Sequence, residues 1–342
     1  MTNRRIANFS ALFLVLVYTG QLCEAVNVYC ARDWNHAVPS ICTILEFPLV
    51  NENDQVSIVT RRPELAGSLY IENNNMMRLY GSFFETFPNL NRVVISNTRV
   101  SRINRADLQK AVNVEDFDFN RNRIEEIEDF SFSGLNKATQ LNLRGNKLVT
   151  IRRNTFDGLI NLKNIYLGGN PLKTIEDGAL NFPQLGILSL EGTKLTTLSR
   201  NFFQVNPPLR ECYMSGDSLT TIGDFFNGMK TTLSWIDLNG NPIDDLSFSK
   251  FAIMPVLRYL YIAKTPFKNV NEDDEASAKS AESNLVRILV SEDQLSHDFI
   301  TKVHRIFKNL SDFYIQRTEH NVHFTDEDIK KIIPGVHVYR FN

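Results

Sequence analysis

The sequence predicts an α/β solenoid: one long parallel sheet lining a concave face, irregular convex coils, and helices outside the last units. Three observations predict it. A pattern recurs about every 24 residues. Within each copy the strongest apolar pair is spaced by two, the period of a strand. Each copy is too small to bury that pair alone, so neighbouring copies must stack.

The repeat is plainest in "LNLRGNKLVTI" (Leu141–Ile151), flanked by "FDFNRNRIEEI" and "IYLGGNPLKTI". Taking the first residue of the central apolar pair as anchor, anchors fall at Leu69, Val93, Phe117, Leu141, Ile165, Leu188, Cys212, Ile236 and Leu260. Every step is 24 residues except one of 23. The residue two after each anchor is apolar throughout, and the residue three before is Leu, Val or Ala.

Five after the anchor the chain must leave the strand and turn inward, which strands backbone N–H and C=O groups. Asn occupies that place at 74, 122, 146, 170 and 241, because one amide carries both a donor and an acceptor. Thr98, Thr193, Thr265 and Asp217 stand in elsewhere and can do half of that work. Fifteen after the anchor lies a second apolar column: Phe84, Leu108, Phe132, Phe156, Leu180, Phe203 and Phe251. Five of the chain's 24 phenylalanines stand in it, so the excess of Phe reads as a packing spine and not as the lining of a ligand cavity. Cys212 at an anchor reads as a buried apolar thiol.

Residues 1–25 read as a signal peptide: Arg4 and Arg5, an apolar run centred on Ala11–Tyr18, then "CEA". The run is far below the roughly 20 residues of a spanning helix. The chain is expected to be secreted, free of a membrane anchor. Residues 26–65 form an N-terminal cap in which Cys30 and Cys42 pair, with strand-like runs "CTILEF" and "QVSIV". Residues 66–270 are the regular repeats, and 271–283 an acidic exposed insertion. Residues 284–342 continue the sheet in looser units, with triplets Leu285/Ile288/Val290, Leu310/Phe313/Ile315 and Ile333/Val336/Val338, for twelve strands in all. A capping box at Ser291/Gln294 opens one helix and Thr325/Asp328 a second.

These residues resemble the extracellular leucine-rich-repeat family of the 24-residue typical class. The signal, two-cysteine cap and repeat number are also similar to the secreted leucine-rich immune proteins of mosquitoes, in their coil-less form. That resemblance implies a non-catalytic binding protein of innate immunity, whose partner is a complement-like or pathogen-surface factor. An adhesion, matrix or developmental role on the same fold is the alternative.

The partner surface is expected on the inner face, in the columns beside the anchors. Aromatics gather there toward the C-terminal half: Tyr166, Tyr213, Trp235, Tyr259 and Tyr261, with Asp237 among them. Inner-face charges balance, from Arg92, Arg144 and Arg258 against Asp116, Glu191 and Glu211. Without residues 1–25 the chain holds 35 Lys and Arg against 38 Asp and Glu. Neither favours nucleic acid. No cofactor, metal or catalytic motif is called for. "DLNGNPIDD" has Pro242 where a calcium loop needs Gly, "SFSK" lacks partner motifs, and His320, His323 and His337 are too sparse for a metal site. Asn309 begins the sequon "NLS" and is an expected glycosylation site.

Overall fold

The computed structural model describes residues 25–29, 31–32, 40–44, 55–60, 63–203, 205, 207–244, 247–266, 283–319 and 324–342. The leader up to residue 24, Cys30, most of the 271–283 insertion, His320 and His323 lie outside the described residues. Ala25, expected to leave with the leader, begins a strand, Ala25–Tyr29, paired in parallel with Gln55–Val59.

Among the described residues, fourteen strands form one sheet in chain order. They are Ala31–Arg32 (β1), Ser40–Ile44 (β2), Ala66–Glu72 (β3), Arg92–Ser96 (β4), Asp116–Asp118 (β5), Gln140–Asn142 (β6) and Asn164–Tyr166 (β7). There follow Ile187–Ser189 (β8), Glu211–Tyr213 (β9), Trp235–Asp237 (β10), Tyr259–Tyr261 (β11), Arg287–Ser291 (β12), Asp312–Gln316 (β13) and His337–Phe341 (β14). Of these pairings, only β1–β2 is antiparallel. The sheet exceeds the expected twelve strands because the cap joins it: β2 pairs with β3, setting Cys42 opposite the anchor Leu69. Cys42 is disulfide-bonded and nearly fully buried, so a covalent link reaches the sheet at its N-terminal end.

The register sets anchor against anchor. Leu141 faces Phe117 and Ile165, and the 23-residue step still pairs Ile165 with Leu188. All nine anchors and their partners two residues on are buried. The Phe column fills the rest of each coil, with Phe132 and Phe156 centroids 6.0 Å apart and Phe156 and Phe182 6.1 Å apart. Cys212 is buried and free, and burial pushes its thiol well above the usual range. That makes it inert as a nucleophile.

The asparagines work as their two-sided chemistry requires. Asn146 Nδ2 donates to Phe119 O at 2.9 Å and Leu143 O at 2.8 Å, while its Oδ1 accepts from Ile124 N at 3.0 Å. Asn170 and Asn241 repeat the arrangement one and four coils on. The Asn146→Ala variant should lose about 1–3 kcal/mol, since it leaves buried backbone groups unpaired. Urea unfolding followed by circular dichroism measures this, and a loss under about 0.5 kcal/mol would mean that water replaces the amide.

Two details of the C-terminal region depart from the expectation. The Ser291/Gln294 box caps a single 3-10 turn, Glu292–Gln294, and the helix begins later at His297, with Ser296 Oγ accepting from Phe299 N. Gln294 also joins the Asn column: its Oε1 accepts from Ser291 N while its Nε2 donates to Thr265 Oγ1 and Ile262 O. The second helix, Asp326–Ile332, is capped by Thr325 and Asp328 as expected.

The last unit is also shifted by two residues. Phe313 pairs with Val338, not Val336, so the position two after the final anchor is Arg340. Its guanidinium reaches Glu292 at 2.6 Å, Asp326 at 2.7 Å and the Phe324 carbonyl at 2.5 Å. A salt-bridged arginine thus stands where every earlier coil has an apolar residue, its charge balanced by two carboxylates. Ser283, the last residue of the expected insertion, is buried, its carbonyl accepting from Asn309 Nδ2 at 2.9 Å.

Candidate partner-binding face

In a parallel strand the residues on either side of an anchor point away from the core. The inner face is therefore two columns of side chains, stepping about 4.8 Å from strand to strand. Between β9 and β14 half of these positions are Tyr or Trp.

Trp235 is the hub. Its ring lies 4.6 Å from Tyr259, 5.1 Å from Tyr261 in a T-shaped contact, and 6.0 Å from Tyr213. The four rings are half-buried. The Trp235 indole N–H is buried without a hydrogen-bond partner, an arrangement that costs stability and marks this ring as held by packing alone. Tyr213 donates its hydroxyl to Glu211 at 2.8 Å; burial first, then this bond, raises the phenol pKa. Asp237 Oδ1 accepts from Asn239 N at 3.0 Å. Burial raises the Asp237 pKa, the Asn239 bond opposes it, and nearby Glu191 adds to it.

The strip runs further than Tyr261. Arg287 on β12 lies 5.4 Å over the Tyr259 ring and 4.5 Å over Tyr314 on β13, donates to the Tyr261 hydroxyl, and pairs with Asp312 at 3.1 Å. Tyr314 stacks on Tyr339 of β14 at 4.6 Å, and Tyr339 is 44% exposed. Arg287, Tyr314 and Tyr339 are not among the residues expected from the sequence. They sit beside anchors Ile288, Phe313 and Val338. Extending the two columns past the insertion would find the first two; the third needs the corrected register.

Of the six residues expected to bind a partner, Tyr213, Trp235, Asp237, Tyr259 and Tyr261 come together. Tyr166 does not join them. It lies on β7 under the Arg144 guanidinium, 4.9 Å from the ring centroid. Arg144 also donates to Ser189 Oγ at 2.8 Å and pairs with Glu191 at 2.5 Å. This separate cluster closes the N-terminal end of the aromatic region.

Among the described residues, no three His, Cys, Asp or Glu side chains meet as a metal would require, and no helix is long and apolar enough to cross a membrane. Asn309 is exposed at the turn after the first C-terminal helix. Its bond to Ser283 O is the one that Asn89, Asn113, Asn161 and Asn284 make to the preceding coil. The side chain therefore has a structural task, whatever is attached to it.

The repeat, the single sheet and the inner face define a leucine-rich-repeat solenoid. The leucine-rich-repeat family model matches residues 112–172. No curated protein matches the chain in sequence. Among solved structures, a chain of the Toll–Spatzle complex, described as a molecular hub in Drosophila development and innate immunity, is similar with a TM-score of 0.64 and 18% identity. The match covers 84% of this chain and 41% of that one. A chain of the LRIM1/APL1C complex gives a TM-score of 0.59 and 18% identity, over 78% of this chain and 48% of that one. An internalin of Listeria monocytogenes gives 0.60 and 13%, over 85% and 78%. The chain thus spans less than half the length of the first two, and at these identities the likeness is one of fold.

Proposed function

We propose that this chain is a secreted, non-catalytic recognition or scaffold protein of innate immunity that binds a protein partner through the C-terminal half of its concave face. The observation that carries the reading is the aromatic strip from Tyr213 to Tyr339, which crosses six adjacent strands. Half-exposed Trp and Tyr in contact with one another offer large rigid surface at little entropic cost, the chemistry enriched at protein hot spots. The mixed charges around the strip suit a protein partner better than a polyanion. The Toll–Spatzle and LRIM1/APL1C neighbours are themselves seen in protein complexes, and both support the same kind of use here.

Affinity capture from secreted fluid tests the surface, comparing wild type with Trp235→Ala/Tyr259→Ala. Removing two central rings should weaken capture of a specific partner at least tenfold, since each hot-spot ring contributes about 2 kcal/mol or more. Identical capture by both proteins would move the interface elsewhere. Transcript levels after microbial challenge separate the immune role from a developmental one; flat levels on challenge with strong embryonic expression favour the latter.

A further inference from the structure

The inner face carries three successive stations built alike, each an aromatic ring beside a carboxylate. In the first, Tyr166 and Glu191 hold Arg144. In the third, Tyr259, Tyr314 and Asp312 hold Arg287. The second lies between them and offers Tyr213 and Trp235 with Glu211 and Asp237. Its rings and acids match the other two in kind, yet among the described residues neither carboxylate pairs with a Lys or Arg. Glu211 accepts only the Tyr213 hydroxyl, and Asp237 is engaged by the Asn239 amide and the Ser215 side chain.

We infer that this middle station receives a guanidinium from the partner: an arginine side chain laid on the Tyr213 and Trp235 rings with its N–H groups on Glu211 and Asp237. The inference rests on the reading of this face as the partner surface and adds the chemistry of what lands there. Two arguments carry it. The chain itself fills both flanking stations with arginine, so the spacing of ring and acid on this sheet accepts a planar cation in each. Two acids without a cation beside them, on a half-buried aromatic floor, also leave a local negative charge that a cation would complement; cation–π attraction adds to the ion pair when both are partly desolvated. An acidic or purely apolar partner segment would meet that charge unpaired.

The test uses the full chain with nitrogen-15 in its two tryptophan indoles, the Trp235 signal being the one lost in Trp235→Phe. Titration with N-acetyl-arginine amide should move the Trp235 signal saturably. N-acetyl-citrulline amide, of the same shape without charge, should bind at least tenfold more weakly. Glu211→Gln/Asp237→Asn should weaken the arginine probe at least tenfold, and Asp118→Asn, on a distant strand of the same face, should leave it unchanged. A far-ultraviolet circular dichroism spectrum and an unfolding midpoint like those of the wild type show that the double variant has folded. Equal response to both probes, no response to either, or an undiminished response in the double variant would overturn the proposal. If capture of the partner depends on Trp235 and Tyr259 while the probes fail these criteria, only the guanidinium assignment falls. If the probes behave as expected while capture ignores the rings, the partner surface falls instead.

Discussion

Alanine at Gly158 should destabilise the solenoid by at least about 3 kcal/mol, well beyond a typical single substitution. Gly158 sits where the Phe156 coil crosses the one before it. Its φ is +102°, a conformation that side chains rarely adopt. A Cβ built there meets Phe132 O and Ser133 Cα at 2.7 Å or less, and both are backbone atoms that cannot swing aside. Relief would push apart two coils whose phenylalanines are in contact, at Phe132 and Phe156. Gly216→Ala is the control. Its φ is +68°, but no heavy atom lies within 4 Å of the added carbon. It should cost about 1–2 kcal/mol, the backbone term alone. Urea unfolding of both variants measures the difference; if the two match, the coils are looser than their spacing implies.

The opposite sign is expected at Asp217. This residue occupies the asparagine place in the Cys212 coil, is buried, and accepts a hydrogen bond from the Thr193 amide through Oδ1. Its Oδ2 is buried with no partner. In the equivalent place Asn241 donates to the carbonyls of Met214 and Leu238, a task a carboxylate cannot perform. Burial pushes the Asp217 pKa up to about 6, against the opposing bonds from Thr193, with Glu191 and Asp237 adding to the rise. A carboxyl raised in the folded state holds its proton more tightly there than in the unfolded chain. Its contribution is most favourable below about pH 4 and is lost as pH climbs toward 6. Above that the ionised group costs about 3 kcal/mol relative to a normal carboxylate. Asp217→Asn should remove this cost and supply the missing donor. It should stabilise the protein by up to about 3 kcal/mol at pH 7 and by much less at pH 4. A gain that is the same at both pH values would show that the carboxylate is not the cause.

The place of Asp217 in the asparagine column is legible in the sequence, as are the nine anchors and the phenylalanine spine. Stacking explains why. Each coil must place the same chemistry at the same height as its neighbours, so the constraint is written once per unit. Legibility fails where that constraint weakens. Val336 fits the apolar pattern as an anchor, but the register puts Val338 there, and the position two residues on goes to Arg340, held by Glu292 and Asp326. Ser291 and Gln294 carry a genuine capping pattern, but Gln294 is needed to satisfy Thr265 and the Ile262 carbonyl. The aromatic floor is legible only in part. Its side chains face solvent, no stacking rule fixes them, and the long step from Leu260 to Ile288 breaks the count before Arg287 and Tyr314 are reached.

The covalent anchorage of the cap at Cys42 and the hub at Trp235 belong to the same ladder of strands. Eight steps separate β2 from β10, roughly 40 Å along the sheet at about 4.8 Å per step. Each strand in that run is hydrogen-bonded to the next, so the intervening coils act as a ruler. Whatever docks at one end is held at a fixed distance from whatever docks at the other. Evolution could lengthen the ruler by a whole unit, in register, without touching either end.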